Sequence, residues 1–364
     1  MKNENNPADA KTLYDIMHFE VLGPEAIYLE EETLKAKKSG KIPENHAFLI
    51  TPANLQEFLK ENPETILPDI ITTKTHSILP EIYLNDRKKS IITRSAGYDH
   101  FEHLAEKANI ASLREYCVNA VAQTSMKFLY AAAGEMNHYE KNIETFERKN
   151  SKSFMELNKE RIFTVFGVGR IGRRTYELAE ANGLTVQGVD IRQEELHNIY
   201  GDAVKFVSKE EAVKSSDIIV NAMNLTKNKE SRFYNTGYFS REYLSKANKN
   251  LIFINVTRGE IAPESVLLEL YKSGKITGLG LDVFTDESEF AKLMLGDCLT
   301  GTDILAAKTL VNMSLERKAN IYVQPHQGFN SDIAAKAKAV EAIKHVISWY
   351  KNKGNGFDEQ LPYY

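Results

Sequence analysis

Cysteine is scarce in this chain of 364 residues. Only Cys117 and Cys298 occur, too few for a disulfide framework or a cysteine-based metal cluster, and no metal site is expected. Long apolar runs are missing too: no stretch of about 18 consecutive apolar residues is present, so no membrane-crossing helix is expected. The opening MKNENNPADAK is polar and lacks the apolar core of a secretion signal, which points to a cytoplasmic protein. Neither sign of charge is in excess, since 46 Lys and Arg stand against 50 Asp and Glu, a net charge of −4. That balance gives no electrostatic reason to expect nucleic acid or an anionic membrane as a partner. Internal repeats and low-complexity tracts are absent. What remains is an ordinary globular composition, 42% hydrophobic and 26% charged, in a chain long enough for two cores.

The densest information lies in residues 161–192, RIFTVFGVGRIGRRTYELAEANGLTVQGVDIR. An apolar, β-rich run (162–166) leads straight into Gly167-Val168-Gly169-Arg170-Ile171-Gly172. Apolar positions then take helical spacing until Gly183 stops the helix, and a second strand ends on Asp190. Each part suits a dinucleotide. Gly167 permits the tight turn, Gly169 lets backbone approach a pyrophosphate, and Gly172 lets the helix pack on the strand. The helix N-terminus favours the phosphate charge. Asp190, 18 residues past Gly172, is placed to accept the hydroxyls of an adenosine ribose. It favours NAD over NADP, a preference that the nearby Arg192 softens. The alternative is a glycine-rich turn of some other α/β protein, with Asp190 only capping a helix.

Elsewhere strands and helices alternate, which argues for parallel sheets. Strands are expected near 14–21, 46–51, 69–73, 90–93 and 110–113, then at 203–207, 217–222, 251–256, 278–283 and 320–323. Helical patterns cover 25–38, 53–61, 101–108, 209–215, 238–247, 263–273, 303–318 and 331–351. A single long helix is expected over 120–148, bridging two domains.

Ligands of open α/β sheets collect at the carboxyl ends of strands. Arg258, Asp282, Glu287 and His326 all fall at such ends or just beyond. A guanidinium forks onto a carboxylate, an imidazolium delivers a proton near neutrality, and a carboxylate beside it keeps it charged and oriented. Together they suit reduction of a 2-oxo acid. A surface ion pair for Arg258, an ordinary hydrogen-bonded histidine and helix-capping acids are the bland readings of the same residues.

The stretches IITRSAGYDH, EYCVNAVAQ, VFGVGRIGR, INVTRGE, GLGLDVF and VQPHQGF resemble the successive signatures of the D-isomer-specific 2-hydroxyacid dehydrogenases, most closely the D-lactate dehydrogenase-like branch. The resemblance implies two Rossmann-like, doubly wound parallel-sheet domains and usually a homodimer. The substrate domain would be discontinuous (1–122 and 330–364), and an NAD-binding domain with the bridging helix would fill 123–329. It puts the catalytic arginine at Arg258, its carboxylate at Glu287 and the proton-donating histidine at His326. Asp282 would lie near the nicotinamide, and Arg170, Ile171, Met223, Asn224, Val256 and Thr257 would line the cofactor. Ala96 and Gly97 would hold the substrate carboxylate through backbone, with Tyr116 touching substrate. The implied reaction is NAD-dependent reduction of pyruvate or a related 2-oxo acid to the D-2-hydroxy acid. Phosphorylated hydroxyacids, with Arg94 and Lys74 as the candidate phosphate holders, and a non-catalytic NAD(H)-sensing corepressor-like role are the alternatives. There are departures: Ala222-Met223-Asn224-Leu225-Thr226 replaces the usual His-x-Pro-Leu-Thr, Cys117-Val118 replaces Ser-Pro, and Gln123 stands where a glutamate is usual.

Overall fold

A computed structural model describes residues 14–363 apart from Asp86, Asn150 and Lys249; the polar opening read above lies outside the described residues. The chain divides into two compact units, Met1–Tyr116 with Ser331–Tyr364, and Cys117–Asn330. The first break falls ahead of a helix rather than inside its first turn, so that helix goes whole with the second unit.

The first unit contains β1 (Ile16–His18), α1 (Glu25–Lys38), β2 (Phe48–Ile50), α2 (Leu55–Glu61), β3 (Ile70–Thr73), α3 (Glu81–Asn85), β4 (Lys89–Thr93) and β5 (Ala108–Ser112). All strand pairs are parallel, in the order β2-β1-β3-β4-β5, the flavodoxin-like doubly wound arrangement with its switch point between β1 and β3. β3, β4 and β5 are buried throughout; the β-branched runs of β3 (IITT) and β4 (IIT) and the small residues around Ile110 in β5 suit strands covered on both faces. The helical pattern at 101–108 yields only a 3-10 turn, Glu102–Leu104, because the chain reaches β5 by Ala108.

The second unit continues with α4 (Val118–Ala133), α5 (Met136–Asn142), β6 (Ile162–Phe166), α6 (Arg170–Ala181), β7 (Thr185–Val189), α7 (Gln193–Tyr200) and α8 (Lys209–Ser215). It closes with β8 (Ile218–Asn221), α9 (Arg241–Leu244), β9 (Leu251–Asn255), α10 (Glu264–Lys272), β10 (Ile276–Leu281), α11 (Glu287–Leu295), α12 (Thr302–Leu315) and β11 (Ile321–Val323). Its parallel sheet runs β11-β10-β9-β8-β6-β7, with the order reversing between β6 and β8. Phe166, Phe239, Phe253 and Leu279 are fully buried at its centre. Among the described residues no helix is long and apolar enough to cross a membrane.

In the second unit three more sequence expectations are corrected. The single helix over 120–148 is two, because Gly134 ends α4 and Glu135 turns left-handed at φ 49°. The new direction lets Asn137 take the Tyr322 hydroxyl on its N–H at 2.9 Å and bind the carbonyls of Ala319 and Ile321. Residues 203–207 form no strand but one bridge, Phe206 to Gly188, at the outer edge of β7. The helix expected at 238–247 shrinks to α9, because Phe239 instead donates its N–H to Ile261 and packs on Phe166 and Phe253.

Returning to the first unit, the chain ends with α13 (Ala334–Lys351), packed along α1. Glu341 of α13 accepts three successive N–H groups, from Arg114 (2.6 Å), Glu115 (3.0 Å) and Tyr116 (2.8 Å). The backbone is thereby fixed just before it leaves the unit.

Candidate functional site

The glycine turn of the second unit is required by its surroundings. Gly167 has φ +85°, and a Cβ there would stand 2.8 Å from the Met223 backbone. A Cβ on Gly172 would meet the Gly167 carbonyl at 1.8 Å, whereas one on Gly169 would meet nothing within 4 Å. The turn is thus closed on its inner side and open over Gly169, and Gly169, as the cap of α6, brings no side chain of its own to the first helical turn. That is a cradle fitted to a pyrophosphate, with Arg170 and Ile171 in the first helical turn. Asp190 accepts from Val168 N–H on one oxygen and Arg192 N–H on the other, each at 2.8 Å, so it also staples the turn to the end of β7. The Arg192 Nε lies 3.8 Å away.

At the neighbouring strand ends, Asn255, Leu281 and Val323 are level in register, so β9, β10 and β11 finish together. Arg258 follows β9, Asp282 closes β10 and His326 follows β11. With strands about 4.8 Å apart, Asn255 and Val323, the last residues of β9 and β11, stand roughly 10 Å apart at the backbone on either side of Leu281.

His326 Nδ1 meets Glu287 Oε2 at 2.7 Å, and the second Glu287 oxygen accepts Phe284 N–H at 3.2 Å. Glu287 opens α11, where the helix end favours its negative charge. His326 is left-handed, φ +50°, which costs a non-glycine residue roughly 1–2 kcal/mol. Asp282 holds it there. Its carbonyl accepts His326 N–H at 2.6 Å, and its carboxylate accepts from the Gln324 side chain (2.7 Å), Gln327 N–H (2.8 Å) and Gly328 N–H (2.9 Å). Burial raises the Asp282 carboxyl above its ordinary range against those donors. The expected place of Asp282 beside the nicotinamide therefore coexists with a structural duty that spacing did not reveal.

Sequence reasoning missed a buried amide pair. Asn221 donates to Asn255 Oδ1 at 3.0 Å and to the Thr257 hydroxyl at 2.8 Å, while Asn255 donates to the Arg258 carbonyl at 2.9 Å. Met223 N–H returns to Asn221 Oδ1 at 3.1 Å. The pair fixes the exit loops carrying Met223, Asn224, Val256, Thr257 and Arg258. The available signal was an asparagine closing two otherwise apolar strands.

In the first unit, Ala96 and Gly97 lie in the loop after β4, where Ser95 Oγ donates to the Gly97 carbonyl at 2.6 Å. Tyr116 stacks under Lys338, 4.9 Å from its ring centre. Arg94 is fully buried: it binds Glu25 at 2.8 Å, the Thr72 hydroxyl and the Phe19 carbonyl. Lys74 holds the other Glu25 oxygen at 2.8 Å. Burial works against an ionised Glu25, yet Arg94, Lys338 and Lys74 outweigh it and keep its carboxyl below the ordinary range. Among the described residues no group of three or more His, Cys, Asp or Glu is placed to hold a metal ion.

Residues 126–328 match the family model described as D-isomer specific 2-hydroxyacid dehydrogenase, NAD binding domain. A D-lactate dehydrogenase of Staphylococcus epidermidis is 25% identical over 290 residues, 77% of this chain and 82% of that protein. An erythronate-4-phosphate dehydrogenase of Bacteroides thetaiotaomicron is 26% identical over 253 residues, 69% of this chain and 64% of that protein. A crystal structure of D-lactate dehydrogenase from Aquifex aeolicus, complexed with NAD and lactic acid, matches with TM-score 0.73 at 20% identity, covering 93% of this chain and 96% of that one. The family model spans over half of the sequence and lies on the unit that holds the pyrophosphate cradle. The chain therefore belongs to the D-isomer-specific 2-hydroxyacid dehydrogenases and is an NAD-dependent oxidoreductase.

Proposed function

We propose that this enzyme reduces a small, unphosphorylated 2-oxo acid of the pyruvate class to its D-2-hydroxy acid. The observation that carries the reading is the His326–Glu287 contact of 2.7 Å, two strands from Arg258. With Nδ1 engaged by the carboxylate, Nε2 is the nitrogen that carries the mobile proton. Glu287 favours the imidazolium, and His326 protonates the carbonyl oxygen as it gains charge. Arg258 binds the substrate carboxylate in a two-pronged contact and polarises the ketone. Reduced NAD, when bound, supplies the hydride. Gly167, Gly169, Arg170, Ile171 and Gly172 would hold its pyrophosphate, Asp190 its ribose, and Met223, Asn224, Val256, Thr257 and Asp282 the nicotinamide end. Ala96, Gly97 and Tyr116 are assigned to the substrate, and a homodimer is the proposed assembly.

The 26% identity to the erythronate-4-phosphate enzyme favours a phosphorylated substrate as the second reading. Against it, Arg94 and Lys74 are both committed to Glu25 rather than presented to a phosphate. NADH oxidation with a panel of 2-oxo acids, phosphorylated members included, decides between them. Turnover is expected with pyruvate-class acids, with His326→Ala lowering kcat about 10²–10⁴-fold. No turnover with any member, or turnover confined to phosphorylated ones, would overturn the reading.

A further inference from the structure

One buried acid of the second unit has no part in the scheme above. Glu264 opens α10 and is 1% exposed, and its Oε1 accepts Thr285 N–H at 2.7 Å. Thr285 lies in the turn between β10 and α11, whose next hydrogen bond is Phe284 N–H to Glu287. On its other side the turn rests on the residue after Arg258: a Cβ on Gly259 would stand 2.0 Å from Thr285 N and 2.1 Å from the Phe284 carbonyl carbon. The turn is therefore clamped between Gly259 and Glu264. Glu264 Oε2 and Thr285 Oγ1 are both buried, and neither makes a hydrogen bond of good geometry. The contact is not one that satisfies its own polar atoms; what it fixes is the position of the Thr285 peptide. Burial pushes the Glu264 carboxyl up to about 7, with Asp303 of α12 adding to the rise, against the Thr285 side chain and N–H, which favour its ionised form.

We propose that Glu264 is a positioning residue for the proton-transfer pair: by holding Thr285 N–H it sets where Glu287 meets His326. This rests on the roles given to Glu287 and His326 above. It predicts that losing the acceptor disturbs proton delivery during turnover, not merely the stability of the fold.

The test is the pH profile of kcat for 2-oxo acid reduction in the full-length enzyme, with NADH affinity by fluorescence titration as the control for folding. Glu287→Gln provides the reference, since it removes the charge beside His326 and moves the midpoint to lower pH. Glu264→Leu, which keeps bulk but no acceptor, is expected to move the midpoint in the same direction and lower kcat about 10- to 100-fold. NADH affinity should stay within about twofold, the binding cradle being untouched. Glu264→Gln, which keeps an oxygen for Thr285 N–H, is expected to restore the wild-type midpoint. If the leucine variant fails to bind NADH, Glu264→Asp takes its place, drawing the acceptor back by one methylene with a smaller shift in the same sense. A wild-type midpoint in the Leu or Asp variant, with Glu287→Gln shifted, overturns the role of Glu264. An unshifted Glu287→Gln overturns the proton-transfer pair itself, and the role of Glu264 with it.

Discussion

Replacing Gly328 by alanine tests the claim that Asp282 holds the histidine loop. The added Cβ would lie 2.5 Å from Asp282 Oδ2 and 3.3 Å from its Cγ, with the Thr124 methyl at 3.5 Å behind. The Asp282 carboxylate cannot swing aside cheaply. It is 1% exposed, and three donors converge on it from Gln324, Gln327 and Gly328. Moving it by the better part of an ångström breaks or stretches two of those hydrogen bonds, each worth about 1.5–3 kcal/mol because the acceptor is charged. Partial relaxation of the exposed side of the loop recovers some of this, leaving about 2–4 kcal/mol lost from the second unit. The His326 N–H, 2.6 Å from the Asp282 carbonyl, shifts with it. A displacement near 1 Å at a proton donor lowers turnover about 10²-fold. Gly328→Ala should therefore reduce kcat strongly, while the share of NADH affinity set by the glycine turn at β6 is kept. Steady-state kinetics and urea unfolding read the two effects. Unchanged kcat together with unchanged unfolding would show that the loop carries His326 without help from Asp282.

Two further outcomes concern carboxylates of the second unit. Glu264, raised from 4.5 to about 7 in the folded chain, holds its proton more tightly folded than unfolded. Its stabilising contribution is present below pH 4.5 and is lost as pH rises through about 7, roughly 3 kcal/mol in all. Glu264→Gln lacks that slope, so its advantage over the wild type in urea unfolding should grow between pH 5 and pH 8; parallel curves would contradict the shift. Asp190→Ser should narrow the NAD/NADP ratio in kcat/KM, by removing the charge that opposes a 2′-phosphate. An unchanged ratio would take Asp190 out of the ribose site.

Much of the second unit was legible because its glycines are demanded by backbone geometry. At Gly167 and Gly172 no side chain fits, so the sequence has no freedom there and the motif reads directly. The parallel pairing followed from alternating elements, and the strand-end position of Arg258, Asp282 and His326 followed with it. The break in the 120–148 helix was not legible, since Glu135 turns left-handed for contacts that Asn137 makes with residues some 180 positions later. Phe239 left a helical pattern for a hydrogen bond to Ile261 and an aromatic cluster, another long-range override of local periodicity. Glu264 was invisible for a different reason. An acid in the first turn of a helix is what the helix dipole favours anywhere, so its type carried no hint of Thr285.

The acids around the site share one physical logic, and it sorts them. Asp190 spends both oxygens on backbone N–H groups, Asp282 uses both on its loop, and Glu287 divides its pair between Phe284 N–H and His326. In each of these an amide replacement turns one acceptor into a donor that faces another donor, so two favourable contacts become one contact and one repulsion. Glu264 makes its one well-aligned hydrogen bond through a single oxygen, so glutamine there keeps that contact and sheds a buried charge. Isosteric amides thus separate acids that staple loops with both oxygens from one that works through a single oxygen. The charge of the first three is needed because each of their oxygens must accept, whereas at Glu264 only the position of one oxygen matters.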